Sequence, residues 1–332
     1  MKVGSGFNFE RLPQEGPCLL CGGGDRRVRS HLIPQFATRG LRETSATGYI
    51  RTSEAVDRPA QAGPWDHMLC TGCEGRFNQW ETPFANRVFR PFLEDVRGML
   101  QYGPWLPLFA TSLTWRVLTF YREHPEVRRH HKVIEDWSRT DDAERTWREC
   151  LLGERPHPGR HQQHYVRFDF VANATGPVPS NLNSYLMRSM DFDVMATNRD
   201  VIVYMKLPGF MFFGFAGVHS TKGWRGTRLG FNGGTMDHRN VQIPEYIAKD
   251  FINPKADLVR TAAASMSERQ KAKVAERVRS DPDRAARSGT LRAIAHDRSL
   301  SDPEAVGAEE SDGLGDAATP IPSDRGTKGE SR

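Results

Sequence analysis

The last 81 of the 332 residues contain no Phe, Tyr or Trp; all 32 aromatics lie at or before Phe251. Such a segment has little with which to offset its ordering entropy, so residues 299 to 332, rich in Ser, Asp, Gly and Pro, are predicted to be disordered. No apolar run is long enough to cross a membrane. The longest, Val201 to Val218, is broken by Lys206 and by Pro208-Gly209, which predicts two strands and no membrane partner. The start of the chain lacks an apolar stretch typical of a secretory signal, so a cytoplasmic location is expected. Net charge is only +5, which permits a polyanionic partner without requiring one. Cysteine is scarce at five residues, yet four of these form two C-x-x-C pairs. In a reducing compartment that pattern points to metal rather than disulfide.

The predicted fold class is α+β, in three parts. Residues 1–103 form a zinc module, 104–255 an α+β domain of unassigned role, and 256–332 a basic helix followed by an acidic tail. Leu106 to Tyr121 is helix-like and mostly apolar, and Glu126 to Leu152 is expected to supply one or two more helices. Tyr165 to Val171 alternates apolar and charged residues as a half-buried strand does, and Val201–Leu207 with Phe210–Phe215 makes a hairpin around Pro208-Gly209. A solvated helix capped by Ser265 with Glu268 is expected over Ser265–Ser280. His157, His161 and His164 fall in a Pro- and Gly-containing stretch, predicted to be solvated loop. Cys150 is expected to be a small buried apolar group.

Chemistry concentrates near the N-terminus. Cys18-x-x-Cys21 and Cys70-x-x-Cys73 supply four soft ligands suited to one structural zinc, with Gly22 to Gly24 providing the tight turn of a knuckle. The second pair runs directly into a helical pattern beginning near Glu74, and 48 residues separate the pairs, so an insertion lies within the loop. On an ideal helix Glu74, Asn78 and Glu81 share one side while Phe77, Trp80 and Phe84 share another. Thr82-Pro83 is expected to bend that helix by starting a new one over Phe84–Phe92.

Two C-x-x-C pairs flanking Ser30-His31-Leu32-Ile33-Pro34, with Leu69-Cys70-x-x-Cys73-Glu74 after it, resemble the HNH, or ββα-metal, endonucleases of the SHxIP and LCxxCE subset. The resemblance covers approximately residues 15 to 92. It implies a treble-clef zinc fold, His31 as the general base that activates water, and Glu74 as a ligand of a catalytic Mg²⁺ or Mn²⁺. It also implies a DNA partner, with Arg26, Arg27 and Arg29 placed to meet phosphates. This chain has Ser30 where many members have Asp, and no Asn between His31 and Cys70 to orient the base. Gln61 and Asp66 are the candidates to replace that Asn. The alternative is a catalytically inactive zinc-scaffolded module that binds nucleic acid or protein.

Overall fold

A computed structural model describes residues 9–96, 98–128, 137–174 and 176–301. The chain is α+β. Strand β1 (Val28–His31) pairs antiparallel with β2 (Trp65–Leu69), setting Ser30 opposite Asp66 and His31 opposite Trp65. Helix α1 (Gln35–Glu43) lies in the connection between them, and α2 (Thr71–Phe84) follows β2 directly.

Pro83 does not open a new helix as the sequence suggested. Helix α2 passes through it into a π-helical turn at Ala85–Phe89 and then α3 (Arg90–Leu93). A second π-turn, Ile247–Ile252, likewise precedes a helix with proline in its first turn. Each π-turn shifts the hydrogen-bond register where a proline supplies no N–H.

After β3 (Leu100–Tyr102), helix α4 (Trp105–Glu123) forms the axle of the molecule. From Leu106 to Tyr121 every residue except Leu108 is buried. The helix is apolar nearly all round because it is enclosed by α2, by α6 (Asp141–Leu152) and by a four-stranded sheet. Several of its hydroxyls bond carbonyls within the helix, as in Thr111 Oγ1 to Pro107 O at 2.7 Å and Ser112 Oγ to Phe109 O at 2.7 Å. Short α5 (Pro125–Arg128) precedes the 3₁₀ turn Trp137–Thr140. Residues 129 to 136, including His130 and His131, lie outside the described residues.

The sheet has the order β4 (Gln163–Arg167), β7 (Phe210–Gly217), β6 (Val201–Leu207), β5 (Asp191–Ala196), all antiparallel, with α7 (Leu182–Arg188) leading into β5. The β6–β7 hairpin forms as expected. Gly209 at its turn has φ +78°, and a Cβ there would lie 2.2 Å from the Phe92 ring, so both backbone and packing select glycine. The strand expected over Tyr165–Val171 instead ends at Arg167 and is buried from Gln163 to Val166. Alternation misled because β4 is covered on both faces, by α4 where Thr114 Oγ1 donates to Gln163 Oε1, and by Trp224 at 5.2 Å from the His164 ring, while Arg228 bridges its edge. The histidines at 161 and 164 are therefore interior rather than loop groups. His161 bonds Phe215 O and Asp142, His164 bonds Thr227 Oγ1, and only His157 is exposed. Cys150 is buried as expected, and burial pushes its thiol up to about 11.

One hydrophobic core runs from Cys18 through α4 and the sheet to Ala293, so the cysteine-bearing N-terminal region shares its interior with the residues that follow. The last segments are β8 (Gly234–Met236), which pairs with β3, then α8 (Asn253–Ala264), α9 (Glu268–Ser280), α10 (Pro282–Ala286) and α11 (Gly289–Ser301). Helix α9 buries none of its residues, matching the solvated basic helix, although its cap is Ser267, which accepts from Gln270 N, rather than Ser265. Residues 299 to 301, expected to be disordered, complete α11; residues 302 to 332 lie outside the described residues.

Helix α11 docks without aromatics by using a polar clasp. Buried Asp297 accepts from Asn183 N at 2.6 Å and Ser184 N at 3.0 Å, closing the N-terminus of α7, while Arg284 donates to the carbonyls of Arg42, Glu43 and Ser45. Asp297→Ala strands two helix N–H groups and is expected to cost about 2 kcal/mol, lowering the melting temperature by several degrees. Thermal unfolding measures this; an unchanged transition would show that α11 adds nothing to the fold.

Candidate metal centre and catalytic site

The first C-x-x-C pair sits in a tight turn. Gly22 N donates to Cys18 O at 2.9 Å and Cys18 N to Gly23 O at 3.1 Å, while Gly22 and Gly24 hold φ near +70°. Leu19 N donates to Met68 O at 3.0 Å, fastening this knuckle beside the end of β2. The second pair spans the start of α2, where Cys70 is the N-cap residue. The four sulfur atoms of Cys18, Cys21, Cys70 and Cys73 all lie within 4.8 Å of one another, with Cys21 and Cys70 at 3.9 Å. Tetrahedral coordination at a Zn–S distance of about 2.3 Å places sulfurs about 3.8 Å apart, so the set fits zinc in both donor type and spacing. Burial, then the neighbouring Cys18 charge, pushes the Cys73 thiol far up. Such thiols give up their protons only to a cation, which four converging sulfurs would hold.

His31 ends β1, half-buried, and burial with the charges of Arg29 and Arg116 pushes its imidazole down to about 4. It is therefore neutral near pH 7 and able to accept a proton. Glu74 occupies the first turn of α2. Burial raises its carboxyl, against the opposing influence of Arg116 and of the Ser30 hydroxyl, and its Oε1 is buried with no hydrogen-bond partner among the described residues. An orphaned carboxylate oxygen in such a place suits a cation.

Arg116, which the sequence reading missed, acts electrostatically on both groups. It lies on α4, is 2% exposed, pairs through Nη2 with Glu81, and rests over the Phe77 ring at 4.6 Å. Its Nε and Nη1 have no partner among the described residues. The available signal was that Arg116 is the single charge within the apolar run Leu106 to Tyr121. Of the helix face expected to carry oxygen ligands, Glu74 and Glu81 both feel Arg116, whereas Asn78 is exposed. Cys18, Cys21, Cys70 and Cys73 are the one set of three or more potential ligands that converges among the described residues. A second ion at Glu74 would thus draw its other ligands from water and substrate.

Gln35, also unforeseen, brings its side-chain amide to 3.0 and 3.3 Å from the two ring nitrogens of His31. Neither amide nor carboxylate named from the sequence does so. Gln61 accepts from Arg42, and Asp66 is buried, accepting from Leu12 N and His67 N and meeting His124 Nε2 at 2.6 Å. Arg29 is exposed and lies over Trp65 at 4.5 Å, with Arg11 over the same ring at 3.8 Å, so a basic and aromatic patch flanks His31. Arg26 is exposed, whereas Arg27 is turned inward, donating to Pro17 O at 2.8 Å.

The buried imidazole of His124 fixes β2 against the end of α4. Burial alone would lower its pKa, but bonds to Asp66 and Glu126 outweigh this and raise it. A raised folded-state value contributes stability that is complete below the unfolded value of about 6.5 and lost as pH rises through the folded one. His124→Gln should therefore cost more stability at about pH 5.5 than at about pH 8.5, measured by denaturant unfolding. Equal losses would show that the imidazole is not protonated in this network.

A scan against protein-family models and searches of curated proteins and of solved structures return no match. No helix of the described residues is long and apolar enough to cross a membrane.

Proposed function

We propose that this chain is a metal-dependent HNH-type endonuclease acting on DNA in the cytoplasm, with a treble-clef zinc centre of Cys18, Cys21, Cys70 and Cys73. The observation that carries the reading is the unpartnered, buried Oε1 of Glu74 at the start of α2, in one electrostatic environment with the neutral His31. The ββα arrangement supports it: β1 ends at His31, β2 leads to the second cysteine pair, and α2 begins there.

In this mechanism His31, neutral at the end of β1, takes a proton from the attacking water. Gln35 holds the ring. Arg116, whose charge acts on both His31 and Glu74, adds positive potential where charge develops on the phosphoryl oxygens, and exposed Arg29 and Arg11 beside Trp65 receive the flanking backbone. A Mg²⁺ or Mn²⁺ ion held by Glu74 supplies Lewis-acid stabilisation of the scissile phosphate when bound.

The alternative, a zinc-scaffolded binding module without catalysis, draws on Ser30 and on the lack of a second converging carboxylate beside Glu74 among the described residues. Plasmid cleavage by the purified full chain in Mg²⁺, Mn²⁺ and EDTA separates the two. Nicking or linearisation with either ion and none in EDTA supports the enzyme. Binding without cleavage under every ion supports the module.

A further inference from the structure

A second concentration of buried charge lies away from His31, where the 50–64 insertion meets the end of α7, the start of β5 and α8. There a cavity of about 130 Å³ is lined by Arg51, Arg188, Lys255 and Asp191, with Ile33 and Pro64 forming part of its wall. Drug-sized sites run to about 300–1,000 Å³, so this one admits only a compact group.

Its cations are unequally partnered. Lys255 Nζ sits 2.8 Å from Oδ2 of both Asp191 and Asp193. Behind it Lys206, fully buried, donates only to the carbonyls of Leu186 and Ser189, at 2.8 and 2.7 Å. Burial pushes Lys206 down to about 7, so Lys255 with the two aspartates forms a self-contained cluster, and the two guanidinium groups are the ones short of hydrogen-bond partners. Arg188 donates to Thr44 Oγ1 and Leu41 O, meets no carboxylate among the described residues, and is pushed down to about 10 by burial alone. Arg51 makes no hydrogen bond among the described residues; Asp57 acts on it only through space while its own carboxylate accepts from Ser267 N. The Nε atoms of both arginines are buried with no partner among the described residues. Buried cations in this condition are costly unless something pairs them.

We propose that this cavity is a binding site for a compact oxyanion, either phosphate or the phosphate end of a small phosphomonoester, held between Arg51 and Arg188. Guanidinium groups match phosphate oxygens in geometry and keep their charge when desolvated. The anion would join three segments distant in sequence, the insertion, the α7–β5 turn and α8. The site is independent of the nuclease reading, since none of its charged groups belongs to the His31 and Glu74 constellation.

The test uses the full chain in phosphate-free buffer, titrated calorimetrically with inorganic phosphate and separately with glycerol phosphate. One equivalent of either should bind and raise the melting temperature. Arg51→Gln should weaken binding about tenfold or more, while the unliganded variant melts close to the parent because Arg51 is half-buried and makes no hydrogen bond among the described residues. Arg188→Met should weaken it as well. Arg29→Gln, on the exposed patch, should bind like the parent. Uptake of both ligands identifies the phosphate group itself as the determinant, and uptake of glycerol phosphate alone identifies the monoester as the source; either supports the site. No binding of either ligand, or binding that Arg51→Gln leaves unchanged, overturns it, and because Arg51 makes no hydrogen bond among the described residues that variant decides even if Arg188→Met fails to fold.

Discussion

Cys73→Ser is expected to yield protein without zinc and without a folded N-terminal region, whereas the native chain carries one zinc per molecule. Zinc bound by thiolates in small modules contributes about 10–16 kcal/mol near neutral pH, as much as the whole stability of most domains. Cys73 is 5% exposed and begins the helix whose Phe77 and Phe84 enter the common core. Releasing the ion leaves buried sulfurs whose protonation swells the site. Because the core is continuous from Cys18 to Ala293, the damage should spread into α4 and the sheet rather than stay within residues 15 to 92. Elemental analysis of native and variant protein, with circular dichroism and limited proteolysis, measures the outcome. Native protein that is well folded yet free of zinc would refute the metal centre; a variant in which α4 and the sheet unfold normally would refute the shared core.

The centre was legible because its information is local: two C-x-x-C turns and adjoining glycines specify thiol geometry within a few residues, and only their meeting across 48 residues required folding. The β6–β7 hairpin was legible for the same reason, Pro208-Gly209 fixing the turn. What the sequence hid was set by contacts between distant segments. Strand β4 alternates in sequence, yet both faces are covered, so His164 lies inside. Helix α11 lacks aromatics, yet Asp297 docks it through two backbone N–H groups of α7, a bond that composition does not reveal. Asp66 resembled a stand-in for an orienting Asn and instead belongs to His124, 58 residues away. Gln35 and Arg116, the groups that do meet or act on His31, come from a short helix in the insertion and from a helix outside the zinc module.

His31→Ala is expected to lower DNA cleavage by about 10²–10⁴-fold while zinc content and DNA affinity stay near those of the parent. A general base acts in the transition state, so its loss falls on the rate and not on ground-state binding. Glu74→Gln should lose activity in a different manner. Removing the charge of the orphaned oxygen weakens the divalent ion, so cleavage should fall and then recover in part at high Mn²⁺, which added metal cannot do for a missing base. Arg116→Lys keeps a cation between Glu74 and Glu81 but loses the planar fork; a rate lower by about 10²-fold with unchanged zinc would place the guanidinium at the phosphoryl oxygens. Cleavage rates across a Mn²⁺ series, read beside zinc content and binding, separate the three. If His31→Ala and Glu74→Gln both cut DNA like the parent, these residues are not the catalytic machinery. If the parent binds DNA and never cuts it, the orphaned Glu74 oxygen belongs to a binding module, and Ser30 in place of the family's Asp accounts for the lost chemistry.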